Sequence, residues 1–270
     1  MIVSRTPYRI SFFGGGTDYP DWYTKNGGSV LSTTINKYCY ISAKYNTNLD
    51  VINHKIIWSH IENVYSFKDI LHPAVREGLL QMQMDETKGL EIYHSGDLPA
   101  RTGIGSSSSF CVGLINSLAN LNEKPLNKTD LALKAIELEQ NILNEKVGSQ
   151  DQIAASFGGF NKIIFNKDSS FNVEKIEIKQ ETLSTLNKNM SLYYTGTRIG
   201  RNSSDVISDM VNNFDSNYSL LTELESFVEE GIALLKKSDI INFGKLLNES
   251  WKIKKSLGKE ISNEHINEIY

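Results

Sequence analysis

One segment constrains this chain more than any other: Asp97-Leu-Pro-Ala-Arg-Thr-Gly-Ile-Gly-Ser-Ser-Ser-Ser109. It falls between strand-type residues that end near Ser95 and a helix expected from Ser106 to Leu121, where Phe110, Leu114, Leu118 and Leu121 recur at helical spacing. Gly103 and Gly105 allow the backbone to approach a ligand closely and to adopt conformations closed to other residues. The serines stand where a helix start exposes unpaired N–H groups and the positive end of its dipole. Backbone donors and hydroxyls gathered there form an anion site, and phosphate is its usual occupant. No Gly-Lys-Ser/Thr follows, so this is not a Walker A loop, and the third glycine of a dinucleotide fingerprint is missing. The competing reading is a capped turn whose serines are accidental; four serines directly after Gly-x-Gly count against it.

Two further segments carry chemistry. Arg9-Ile-Ser-Phe-Phe-Gly-Gly-Gly-Thr-Asp-Tyr-Pro20 places a glycine turn after a strand, then a hydroxyl, a carboxylate and a phenol at Thr17, Asp18 and Tyr19. Such a cluster can hold the hydroxyls of a sugar or polyol, although Gly-Gly-Gly-Thr-Asp is also good turn chemistry. Glu139 lies near the end of an expected helix that opens at Thr129 as N-cap; Gly148-Ser149 breaks the pattern and Asp151 begins the next element. Two carboxylates flanking a glycine break can converge on one pocket as a metal ligand and an acid-base residue. A solvated helix face is the ordinary alternative for an acidic pair.

The remaining pattern is α+β. Tyr38–Tyr45, Asn53–Trp58 and Leu90–His94 read as strands, and Phe157–Phe165 with Phe171–Ile178 as a hairpin. Ser191–Thr195 is a short expected strand, followed by helical signal over Ser204–Asn213, Leu220–Lys237 and Asp239–Ser256. The shift implies two domains, residues 1–182 and 183–270. With 40% hydrophobic residues, 22% charged residues and a net charge of −4, the chain can build a core and lacks the broad positive field of a nucleic-acid binder. Cys39 and Cys111 lie in apolar runs and are expected as buried free thiols. No disulfide framework, signal peptide or membrane-length apolar run is visible, so a cytoplasmic location is expected, with no membrane partner. The five histidines show no zinc-ligand spacing.

Taken together, the three segments resemble the GHMP small-molecule kinases, a family that includes galactokinase, mevalonate kinase and homoserine kinase. Pro99-Ala-Arg-Thr-Gly-Ile-Gly-Ser-Ser-Ser resembles the family's phosphate motif, Pro-x-x-x-Gly-Leu-Gly-Ser-Ser-Ala. Within the family the likeness is closest to the branch acting on D-glycero-D-manno-heptose 7-phosphate, through Arg5-Thr-Pro-Tyr-Arg-Ile-Ser-Phe-Phe-Gly-Gly-Gly-Thr-Asp-Tyr-Pro and Gly148-Ser-Gln-Asp-Gln-Ile-Ala-Ala-Ser-Phe-Gly-Gly-Phe-Asn161. The resemblance implies a two-domain fold, with an N-terminal domain of the ribosomal protein S5 domain 2 type and an α/β C-terminal domain. It implies ATP and Mg²⁺ as cofactors, and phosphorylation of an anomeric hydroxyl to give a 1,7-bisphosphate for nucleotide-heptose and surface-glycan synthesis.

By position, the resemblance makes Asp151 the catalytic carboxylate facing the attacking hydroxyl, with Arg9 beside it. Gly103, Ile104, Gly105, Ser106, Ser107 and Ser108 would wrap the ATP phosphates, and Ser107 with Glu139 would hold Mg²⁺. Gly16, Thr17, Asp18 and Tyr19 would bind sugar hydroxyls. Arg198 and Arg201, just before an expected helix start, would grip a substrate phosphate; two surface arginines without that task are the alternative. The partner is then a small sugar or sugar phosphate, and the chain a monomer or homodimer.

One departure stands out. The family's C-terminal Gly-x-Gly-Ala-Gly-Gly-Gly motif is absent, because only isolated Gly231, Gly244 and Gly258 occur after residue 205. A truncated C-terminal domain is therefore expected. The alternatives are a neutral-sugar kinase of the fucose or galactose type, or an inactive ATP- or sugar-binding protein.

Overall fold

The computed structural model describes residues 1–46, 53–99, 103–196, 213–258 and 261–270. The chain packs into two compact units that interleave along the sequence: Met1–Arg9, Thr34–Glu145 and Asp151–Gly158 form one, and Ile10–Thr33, Lys146–Gln150 and Gly159–Tyr270 the other. Two long strands, β1 (Ile2–Phe13) and β2 (Gly28–Tyr45), contribute to both.

In the first unit, Cys39–Tyr45 of β2 pair antiparallel with β5 (Leu90–Gly96), from Cys39 opposite Gly96 to Tyr45 opposite Leu90. β3 (His54–Ile57) runs parallel to β5, and β4 (Ile61–Val64) closes the order antiparallel to β3. Cys39, Ile41 and Ala43 are buried while Tyr40, Ser42 and Lys44 are more exposed, the period of two that a sheet covered on one face requires. The cover is helical: α2 (Pro73–Gln81), α3 (Ser106–Leu121) and α4 (Lys128–Ile136). Leu79, Leu114, Ile115 and Leu118 meet Ile41, Ile56 and Ile92 in one core. Fully burying each such side chain contributes roughly 1.5–3 kcal/mol. Both cysteines are free and buried, as their apolar runs imply.

The helix read from the serine cluster spans the expected residues, but α4 starts differently. Its cap is Asn127, whose side chain accepts from the Asp130 N–H at 2.9 Å; Thr129 lies inside the helix. The α-helical pattern also gives way earlier than expected, to a π-helical turn over Glu137–Ile142.

The second unit begins with the other half of β2, where Gly28–Thr33 pair with β6 (Phe160–Phe165). β6 continues into a hairpin with β7 (Phe171–Lys175), closed where the Asn166 N–H donates to the Ser170 carbonyl. α1 (Pro20–Asn26), α6 (Gln180–Lys188), α7 (Tyr218–Lys236), α8 (Ile240–Ser256) and α9 (Glu264–Ile269) complete it. α7 and α8 fall within two residues of the expected boundaries. Phe13 meets the edges of Phe227 and Phe243, at centroid distances of 6.4 and 5.3 Å. A Cβ at Gly231 would strike the Phe13 ring, so this glycine is required for close packing.

The strand expected at Ser191–Thr195 does not form: residues 190–196 are irregular, and Leu192, Tyr193 and Tyr194 are exposed. A β-type composition makes no strand without a neighbour to complete its hydrogen bonds. The helix expected over 204–213 falls outside the described residues except for Asn213. Among the described residues, no helix is long and apolar enough to cross a membrane.

Candidate active site

The first unit carries the strongest polar constellation. Gly103 and Gly105 have φ of +78° and +72°, backbone that favours glycine, and Gly105 is the left-handed N-cap of α3. α5 (Gln150–Phe157) presents Asp151 in its first turn. A Cβ at Gly105 would stand 3.1 Å from Asp151 Oδ2 and 3.4 Å from Arg9 Cγ. The loop thus closes directly onto an ion pair.

That pair is bidentate. Arg9 Nε donates to Asp151 Oδ1 at 2.5 Å and Nη2 to Oδ2 at 2.8 Å. The same guanidinium donates from Nη1 to the Gly103 carbonyl at 3.1 Å, and the Arg9 backbone N–H donates to the Ile104 carbonyl at 3.2 Å. Arg9 therefore ties the carboxylate and the glycine loop together with one planar group. The side chains are 15% and 21% exposed, so the pair is sheltered yet reachable.

The serines of the cluster divide between the backbone and Glu139. Ser109 is buried and donates to the Pro7 carbonyl at 2.9 Å, a structural bond. Ser107 is exposed and donates from Oγ to Glu139 Oε1 at 2.6 Å, and Ser108 also bonds this carboxylate. Glu139 is fully buried in the π-helical turn, where Leu143 N–H donates to the Leu138 carbonyl. Such turns displace one side chain from the helical register and recur at functional sites. Burial pushes the Glu139 carboxyl up to about 7, against the hydrogen bonds that favour its charged form. Gln152 completes the cluster, donating from Nε2 to Glu139 Oε2 at 2.5 Å. Sequence reasoning did not single out Gln152; its only signal was adjacency to Asp151.

A hard divalent cation fits Ser107 and Glu139. Their oxygens already meet, the carboxylate is desolvated, and its partners Ser107, Ser108 and Gln152 are neutral, so its charge is uncompensated by them. Among the described residues no three His, Cys, Asp or Glu side chains group as a metal site.

The Gly14–Tyr19 turn belongs to the second unit and is differently built. Thr17 and Asp18 are 0% and 1% exposed. The Thr17 hydroxyl donates to the Gly14 carbonyl at 2.8 Å and accepts from Ser29 N–H at 3.2 Å. Asp18 accepts from Gly16 N–H at 3.0 Å and from Gln150 N–H at 3.4 Å, while Ser149 N–H donates to the Asp18 carbonyl at 2.8 Å. A Cβ at Gly148 would fall on the Asp18 carboxylate. Tyr19 is the half-buried N-cap of α1, with its ring 6.2 Å from Phe214. Asp18 thus binds the 148–150 segment, which leads into α5 one peptide bond before Asp151. Arg198 and Arg201, expected to hold a substrate phosphate, lie outside the described residues.

Residues 69–159, which include the glycine-serine loop, Glu139 and Asp151, match the model for the GHMP kinases N terminal domain. The chain is 28% identical to the D-glycero-alpha-D-manno-heptose 7-phosphate kinase of Campylobacter jejuni, over 100% of its own length and 81% of that protein. It is 29% identical to the galactokinase of Pyrococcus furiosus over 73% of its own length and 54% of that protein. Among solved structures, a D-glycero-D-manno-heptose 1-phosphate kinase from Bacteroides thetaiotaomicron superposes with a TM-score of 0.81 at 23% identity, covering 95% of this chain and 80% of that one. At that identity the likeness is one of fold.

Proposed function

We propose that this chain, which belongs to the GHMP kinases through its N-terminal domain and fold, is a sugar kinase that moves the γ-phosphoryl group of ATP to an anomeric hydroxyl. D-glycero-D-manno-heptose 7-phosphate is the proposed acceptor, in keeping with the full-length similarity to a heptose 7-phosphate kinase. The observation that carries the reading is the Arg9–Asp151 pair set directly against the left-handed Gly105 cap of α3.

Phosphoryl transfer asks a protein mainly for alignment and for neutralisation of charge. In this reading the N–H groups from Gly103 to Ser108 surround the ATP phosphates at the start of α3. The acceptor hydroxyl donates a hydrogen bond to Asp151, each of whose oxygens has a second lone pair beside the one used by Arg9. As its oxygen attacks the γ-phosphorus, the bond from phosphorus to the ADP oxygen breaks and the proton passes to Asp151. Arg9 holds the carboxylate in place and offsets the charge that develops beside Gly103. Ser107 and Glu139 would hold Mg²⁺, which neutralises phosphate charge when bound.

On the acceptor side, Gly16, Asp18 and Tyr19 are assigned to the sugar, and Thr17 to holding their turn in shape. Functionally, residues 1–182 are taken as the N-terminal domain and 183–270 as belonging to the C-terminal one. A neutral-sugar kinase is the second reading, supported by the galactokinase similarity. The test is turnover of phosphorylated and free sugars with Mg-ATP, beside Asp151→Asn. Loss of the carboxylate should lower kcat by roughly 100- to 10,000-fold. A variant as fast as its parent would overturn the assignment.

A further inference from the structure

Glu139 is held from two sides. Ser107, in the first turn of α3, donates from Oγ to Oε1 at 2.6 Å, and Gln152, in the first turn of α5, donates from Nε2 to Oε2 at 2.5 Å. Gln152 immediately follows Asp151 in the chain. Arg9 grips Asp151 through both carboxylate oxygens, and its Nη1 donates to the carbonyl of Gly103, in the loop that leads into α3. The contacts close a ring that runs from Gly103 through Arg9, Asp151, Gln152, Glu139 and Ser107, then back along the loop to Gly103. All six residues belong to the first unit.

Within the ring, Gln152 has no other evident task. It and Glu139 are both 0% exposed. An ionised carboxylate only accepts hydrogen bonds, so the amide must turn its NH₂ toward Glu139. That orientation leaves Gln152 Oε1 buried without a hydrogen-bond partner. A buried, unpaired amide oxygen is costly, and an apolar side chain of similar length would avoid the cost. Packing alone thus gives no reason for an amide here, whereas the bond to Glu139 does. Because Ser107 meets one oxygen and Gln152 the other, the carboxylate cannot turn freely about its own bond.

From this we infer that Gln152 is a positioning residue, which sets Glu139 for a divalent cation from the same helix that carries Asp151. This role rests on the sugar-kinase reading above and adds a residue to its metal side. Gln152 acts through Glu139 rather than on the substrate. Phosphoryl transfer draws its rate from alignment, and a ligand whose own hydrogen bonds are lost no longer meets the cation in the aligned place.

The test compares the parent with Gln152→Met, which keeps the length and loses the donor, and Gln152→Asn, which keeps the amide but withdraws it by one methylene group. Binding of Mn²⁺ in the presence of ADP is followed by electron paramagnetic resonance, since Mn²⁺ shares the oxygen preference of Mg²⁺. Turnover of D-glycero-D-manno-heptose 7-phosphate and of the unphosphorylated heptose is measured with Mg-ATP, and thermal unfolding is measured without metal. In both variants Mn²⁺ should bind roughly 10- to 100-fold more weakly, the usual effect of removing a partner that orients a metal ligand. At a fixed, limiting Mg²⁺ concentration kcat should fall while the KM for sugar changes little. Gln152→Met should melt close to the parent, because the lost bond and the removed unpaired oxygen offset each other.

Unchanged Mn²⁺ affinity in both variants overturns the inference, and a lower melting temperature beside it assigns Gln152 to fastening α5. A loss expressed only in the KM for sugar overturns it in favour of a role at the acceptor. A parent that binds no Mn²⁺ with ADP overturns it, as does failure of both variants to fold, which would make Gln152 a packing residue. A parent that binds Mn²⁺ and ADP but turns over neither sugar defeats the kinase reading, while the Mn²⁺ affinities still decide the role of Gln152.

Discussion

Gln152 Nε2 donates to Glu139 Oε2 at 2.5 Å, and both side chains are fully buried. The Gln152 carbonyl oxygen, Oε1, has no partner of its own. An amide placed at 139 can be accommodated, since its NH₂ can donate to that oxygen once the Gln152 amide turns over.

Glu139→Gln should therefore separate stability from activity. Burial raises the carboxyl from 4.5 to about 7 in the folded protein. A raised carboxyl adds stability that is fully present below the unfolded value of 4.5 and is lost as pH climbs through about 7. At 1.36 kcal/mol per unit, that loss is on the order of 3 kcal/mol by pH 8. Glu139→Gln has no such loss, so relative to the parent its stability should improve between pH 5 and pH 8. Urea unfolding at both pH values, without Mg²⁺, measures it. Activity should fall at least about 10- to 100-fold, the range seen even for residues that only support a metal ligand.

Mg²⁺ affinity should depend on pH through the same group. A cation binds the charged carboxylate, so binding must displace the proton that burial retains up to about pH 7. The apparent Kd for Mg²⁺ should fall by up to about tenfold per unit as pH rises toward 7, then level off. Calorimetry in buffers of different ionisation enthalpy should detect a released proton at pH 6 and little release at pH 8. A flat profile would remove Glu139 from the metal site.

Arg9→Lys should cost more than its conserved charge suggests. Lysine cannot place parallel donors on Asp151 Oδ1 and Oδ2 while also reaching the Gly103 carbonyl, as Arg9 does. We expect kcat to drop roughly 10- to 1,000-fold, in line with the loss of one oriented donor, with a smaller change in the KM for sugar. Steady-state kinetics would show the split, and an unchanged kcat would show that geometry at this pair is unimportant.

Gly148→Ala should destabilise the second unit through one identified collision. Its methyl group would fall on the Asp18 carboxylate, which is held by Gly16 and Gln150. Overpacking of this kind costs about 1–3 kcal/mol. Asp18→Ala removes the obstacle, so the double variant should be less destabilised than the sum of the single ones. Simple additivity in thermal unfolding would contradict the collision.

How much of this was legible varies by element. The limits of α3 could be read because its signals are local: glycine before it, serines at its start and a continuous apolar face. The N-cap of α4 was misplaced at Thr129, since Asn127 is an equally good cap by composition and geometry alone decided between them. The Ser191–Thr195 segment looked like a strand because its residues suit one, yet pairing depends on residues far away in sequence. The C-terminal helices α7 and α8 emerged near their expected limits, as long periodic segments do.

By itself the sequence determined what depends on covalent neighbours. That includes the left-handed glycines before α3, the alternation of β2 and the break that starts a new helix at Gln150. Tertiary structure decided which side chains meet. Arg9 and Asp151 are 142 positions apart, and Ser107 reaches Glu139 only because a π-helical turn sets that carboxylate toward α3. Thr17, by composition a ligand for sugar hydroxyls, became an internal fastening of its turn. The physical reason is the same in each case. Local conformation follows from sterics and hydrogen bonds within a few residues, whereas a site is a set of distances that exist only after distant segments have packed.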